Sequence, residues 1–115
     1  MKDCTIHRTM DFIGKKWTLL ILLELYKGNK YKRYSQLKNS LPEITPKMLS
    51  ARLKELKEQK LINKKVTEFP LKCDYSLTDS GEDFIRIIKD IKKWSLKWKF
   101  NNQICKSIDC KECTL

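Results

Sequence analysis

Apolar positions along this 115-residue chain follow two rhythms, one near 3.6 residues and one near two, and the change between them marks out the elements. Ile6, Met10 and Ile13 recur at helical spacing, and Gly14 ends that helix. Lys16 to Lys27 predicts a second helix, almost continuously apolar from Trp17 to Leu25 and therefore buried on most sides, closed by Gly28-Asn29. Tyr34 to Ser40 predicts a short third helix with Tyr34, Leu37 and Leu41 facing inward, and Leu41-Pro42-Glu43-Ile44 the turn after it. A fourth runs from Pro46 to about Gln59, with Thr45 as its N-cap and Pro46 at the first helical position, where a missing N–H costs nothing.

In that fourth helix Met48, Leu49, Leu53 and Leu56 share one face. Lys47, Ser50, Ala51, Lys54 and Lys57 are left on the other, which is basic, small and flat. A helix entering a DNA groove needs this combination, because small side chains allow close approach while Lys and Ser reach phosphates or base edges. The rhythm then changes. Lys64 to Phe69 reads as a strand, Pro70-Leu71-Lys72 as a tip and Cys73 to Leu77 as the returning strand. Thr78 caps a last helix from Asp79 to about Phe100, with Glu82 or Asp83 favouring its positive end. The predicted class is mainly α with a small β-hairpin (α+β), a winged helix-turn-helix. Lys64, Lys65 and Lys72 lie along the DNA backbone or minor groove in that geometry.

The last helix carries a stripe of Phe84, Ile87, Ile88, Ile91, Trp94 and Trp98, wider than one small domain covers by itself, which predicts a homodimer, with intramolecular core as the alternative reading. Residues 1–100 are read as one domain including its dimerisation helices, and 101–115 as a cysteine-containing tail.

Charge sharpens the reading. The formal net charge is +11, and between Lys27 and Lys72 stand 13 Lys or Arg against 4 Glu, the footprint of a phosphate-backbone binder. The longest apolar run, Leu19 to Leu23, is too short to span a membrane, and the first five residues carry no apolar signal region; the expectation is a soluble cytoplasmic protein with no membrane partner. One His, no Gly-rich phosphate loop, no HExxH and no GxSxG argue against an enzyme. The remaining alternatives are a winged helix for protein or RNA contact and, least supported, a dithiol oxidoreductase using Cys110-Lys111-Glu112-Cys113.

Five cysteines raise a separate question. Cys105, Cys110 and Cys113 form a CxxxxCxxC tail whose spacing fits Zn²⁺, with Cys4 or His7 as a fourth ligand, or an iron–sulfur site, or disulfide switching with Cys4. Cys73, within a strand, reads as packing.

Several motifs together resemble the HxlR-type winged-helix regulators, a branch of the MarR-like group, over residues 4 to 98. They are Cys4, Asp11-Phe12-Ile13-Gly14-Lys15-Lys16-Trp17-Thr18, Tyr34-Ser35-Gln36-Leu37, the run from Leu41 to Leu56, and Tyr75-Ser76-Leu77-Thr78-Asp79-Ser80-Gly81. Lys15 departs from the second glycine usual there, and the wing is short around Phe69 to Lys72. The resemblance implies a homodimer formed through the first and last helices (Ile6, Met10, Phe84, Ile88, Ile91, Trp94 and Trp98) on a palindromic operator of double-stranded DNA. It implies DNA contacts from Thr45, Lys47, Ser50, Ala51, Arg52 and Lys54, with Lys72 at the wing. Helical geometry sets Arg52 beside the buried face, where it clamps a neighbouring helix or a phosphate. By the same resemblance Cys4 matches an N-terminal cysteine that some relatives use as a redox switch; otherwise it is an inert thiol.

Overall fold

Helices from along the whole chain share one hydrophobic core with a small three-stranded sheet. The computed structural model describes residues 3–113; residues 1 and 2 of the predicted domain and 114 and 115 of the tail lie outside the described residues. In chain order the elements are α1 (Thr5–Ile13), α2 (Thr18–Tyr26), β1 (Lys32–Arg33), α3 (Tyr34–Ser40), α4 (Pro46–Glu58), β2 (Ile62–Glu68), β3 (Leu71–Leu77), α5 (Asp79–Trp98), α6 (Gln103–Ser107) and a closing 3₁₀ turn, Cys110–Glu112.

Ile21, Leu22 and Leu25 of α2 form the centre of the core with Leu37 of α3, Leu49, Leu53 and Leu56 of α4, and Ile85 and Ile88 of α5. Burial of α2 is one-sided, however: Leu20 is 47% exposed. The turn from α1 into α2 is sharp, and Trp17 takes φ 80° there, a left-handed conformation uncommon for a bulky side chain. Gly81 is fixed by packing. A Cβ on it would stand 2.2 Å from the Leu61 carbonyl oxygen, so only glycine lets the first turn of α5 approach the link between α4 and β2.

The sheet has the order β1-β3-β2, antiparallel throughout. β1, which the sequence reading lacks, pairs Lys32 with Tyr75 and Arg33 with Asp74. The hairpin is longer than expected. β2 begins at Ile62 and β3 at Leu71, so Lys72 is not at the tip but within β3, opposite Thr67.

The stripe on α5 divides. Ile88 is 7% exposed and belongs to the chain's own core, and Phe84 packs half-buried against it. Ile87, Ile91, Trp94 and Trp98 remain outside, between 46% and 64% exposed. A helix turning every 3.6 residues carries both sets on adjacent flanks, which periodicity alone merges into one.

Candidate DNA-binding surface

α4 is set by its first residues. Thr45 Oγ1 accepts the Met48 backbone N–H at 3.1 Å, Pro46 opens the helix, and the Tyr34 hydroxyl of α3 donates to the Pro46 carbonyl at 3.2 Å. The two helices of the helix-turn-helix are thus tied at the point where α4 begins. From there Lys47, Ser50, Lys54 and Lys57 stand exposed on the outer face, while Ala51 is half-buried beside them. Met48, expected inside, is 37% exposed.

Arg52 is placed differently from its neighbours. Its guanidinium donates to Glu55 Oε1 and lies 3.3 Å from Met48 Sδ, with 15% of the side chain accessible. Lys15, from the turn before α2, donates to the same Glu55 oxygen at 3.1 Å. Burial pushes the Glu55 carboxyl up, but the hydrogen bonds and charges of Lys15 and Arg52 together outweigh it and hold the group below the usual carboxylate range. Arg52 therefore serves a clamp between α4 and the α1–α2 turn.

The register of the hairpin sorts the wing lysines. Lys65 stands opposite Asp74 and Lys72 opposite Thr67, so these share one face. Lys64 pairs with Tyr75 and points to the other face. Lys64 and Lys65 are exposed and Lys72 half-buried. Arg33 of β1, which the sequence reading does not single out, lies 3.8 Å from Asp74 and adds a partly exposed cation at the same sheet. Its two-residue strand has no periodic signal; only pairing with β3 reveals it.

This is a helix-turn-helix with a wing hydrogen-bonded through β1 to the start of α3, and the sequence profile of the HxlR-like helix-turn-helix family matches residues 12–103. The chain belongs to that family. It is similar to the HTH-type transcriptional regulator YdzF of Bacillus subtilis, 43% identical over 96 residues that cover 83% of this chain and 87% of the relative. Among solved structures it is similar to a MarR-family transcriptional regulator from Porphyromonas gingivalis (TM-score 0.75, 36% identity, covering 85% of this chain and 95% of that one). It is also similar to the redox regulator HypR in its oxidised form (TM-score 0.73, 30% identity, 84% and 99% coverage). This HxlR-like protein is accordingly a transcription regulator, and among its described residues no helix is long and apolar enough to cross a membrane.

The cysteines are dispersed. Cys4 is exposed at the N-cap of α1, Cys73 half-buried in β3, Cys105 half-buried in α6 and Cys110 buried at the start of the 3₁₀ turn. Among the described residues no three His, Cys, Asp or Glu side chains gather as a metal site. Cys105, Cys110 and Cys113 all line one groove between α2 and α5.

That tail is firmly docked. Lys89 of α5 donates to the Tyr26 hydroxyl at 2.9 Å and to Asp109 Oδ2 at 3.1 Å, Lys92 donates to the Ile108 carbonyl at 2.7 Å, and the Gly28 N–H donates to the Lys111 carbonyl at 3.1 Å. The Tyr26 hydroxyl first, with Asp109 adding to it, raises the Lys89 ammonium above the ordinary lysine value. The Lys111 backbone N–H and then Lys89 hold the Asp109 carboxyl below its own.

Proposed function

We propose that this regulator binds a palindromic operator in double-stranded DNA as a homodimer and represses transcription there. One α4 enters the major groove of each half-site, the half-sites being spaced about one helical turn, roughly 10 base pairs. The observation that carries this reading is the exposed face of α4, Lys47, Ser50, Lys54 and Lys57, on the same rigid unit as a wing bearing Lys65 and Lys72. Thr45, Lys47, Ser50, Ala51 and Lys54 contact DNA in this reading, and the wing lysines follow the backbone. Arg52, committed to Glu55, supports the helix from behind. Ile6 and Met10 on α1, 67% and 49% exposed, together with Ile91, Trp94 and Trp98 on α5, supply the apolar surface that a second copy covers.

A second reading adds to the first. Cys4 is an exposed thiol at the N-cap of α1, one of the two helices assigned to the dimer, and the similar protein HypR is a redox regulator. Oxidation at Cys4 then alters the dimer and with it the spacing of the two α4 helices.

One experiment tests both. The protein is titrated against the DNA upstream of its own gene and against random duplex, in reductant and after diamide. Preference for the upstream DNA supports the operator reading, and equal binding to both sinks it. A loss of binding with diamide that reductant reverses and Cys4→Ser abolishes supports the switch; indifference to diamide removes it.

A further inference from the structure

The docked tail encloses a second cationic feature, separate in the chain from α4 and the wing. A cleft of about 630 Å³ lies between α5 and the tail, within the ~300–1,000 Å³ typical of small-molecule sites. Lys89, Lys93 and Lys97 stand at i, i+4 and i+8 along one line of α5, with Lys92 beside them and Lys106 on α6 across the cleft. One carboxylate, Asp109, answers these five ammonium groups, leaving the cleft at net +4. Its floor is apolar, made by Leu96, Ile108 and the buried Cys110.

We propose that this cleft binds a small organic carboxylate with an apolar body, of the fatty-acid class. The protein already shows the cleft accepting a carboxylate, since the tail's own Asp109 occupies its Lys89 end at 3.1 Å. Lys93 and Lys106 are exposed, and their ammonium groups make no hydrogen bond or ion pair among the described residues, so they are available to a second anion. The apolar floor selects the rest of the molecule. A phosphodiester backbone gains nothing from Leu96 and Ile108, whereas an alkyl chain gains from burial there. The cleft also shares Lys92, Leu96 and Cys110 with the apolar groove of about 480 Å³ between α2 and α5, into which a longer chain extends past Leu20, Leu23 and Phe100.

The test uses the full chain and three probes of equal length: octanoate, octanol and octylammonium. Calorimetry gives affinity, and backbone amide shifts locate the site. Octanoate is expected to bind at least about tenfold more tightly than either other probe, to shift amides of residues 89–97 and 105–110, and to lose about tenfold in the exposed double variant Lys93→Glu/Lys106→Glu, whose melting temperature stays unchanged. Equal binding of octanol, meaning adsorption to apolar surface only, overturns the proposal. So does octanoate binding that the variant retains, or shifts elsewhere. Absence of octanoate binding also overturns it, and if the variant then binds DNA more weakly, the lysines belong to the DNA surface.

Discussion

Arg52 and Glu55 are joined at 2.5 Å one turn apart on the inner flank of α4, and this pair, not the exposed outer face, occupies the only arginine of that helix. Arg52→Ala is therefore expected to lower unfolding free energy by about 1 kcal/mol in urea titration, with a smaller loss of operator affinity than Lys47→Ala. The pair also predicts a pH effect. The Glu55 carboxyl is held below its ordinary value of 4.5, so its contribution is complete above that pH and disappears as pH falls through the depressed value. Glu55→Gln flattens the acid limb of the stability curve; an unaltered limb would show that the clamp contributes nothing.

Lys47→Ala and Ser50→Ala act in the opposite way. Both side chains are exposed, so melting should stay within about 0.5 kcal/mol of the parent while operator binding weakens. For Lys47→Ala the slope of log affinity against log salt should fall by about 1, the mark of one lost phosphate contact. A normal slope with normal affinity would exclude Lys47 from the interface.

Gly81→Ala is predicted to be the most damaging single-methyl change in the chain. The new Cβ meets backbone at the Leu61 carbonyl, not a flexible side chain, and α5 must shift away from the end of α4. Overpacking of this kind costs about 1–3 kcal/mol or more. Thermal melting beside Thr45→Ala, which removes one cap at about 1 kcal/mol, gives the ranking: Gly81→Ala should lie below Thr45→Ala.

Tail docking has its own pH window. Asp109 is held below its ordinary 3.8, so its share is present above that value and lost as pH falls through the lowered one. Lys89 is raised above 10.5, so its share is present below that value and lost as pH rises through the raised one. Protection of the Gly28 amide, which donates to Lys111, should be flat between these limits in hydrogen exchange corrected for the intrinsic rate. Asp109→Asn should reduce it throughout.

Trp94→Ala/Trp98→Ala removes the largest exposed apolar groups of α5. Sedimentation should give a monomer that retains its fold and loses most operator affinity. A stable dimer would place the interface elsewhere.

The strongest local signals carried over into the structure. Thr45-Pro46 marks the start of α4 because capping is local chemistry, and Gly14 ends α1 with its N–H on the Met10 carbonyl. Lys64 and Lys72 were harder, since which way a strand residue faces depends on pairing register and not on the residue itself. Ile88 read as interface because a stripe does not record which half its own domain covers. The tail was hardest. Its order comes from Lys89 with Asp109 and Gly28 with Lys111, contacts between residues distant in sequence whose types have no local pattern.

β2 is an edge of the sheet, paired only through β3, and every residue after Ile62 in it is exposed. Such a strand presents unpaired backbone groups on which another copy could extend the sheet. Lys64 and Lys65 make that approach repulsive, since a second β2 would bring the same ammonium groups against them. The charges that the proposed function sets along DNA thus also guard the chain against polymerising on itself. Neutralising both in search of weaker DNA binding risks a protein that is lost to aggregation before its affinity can be measured.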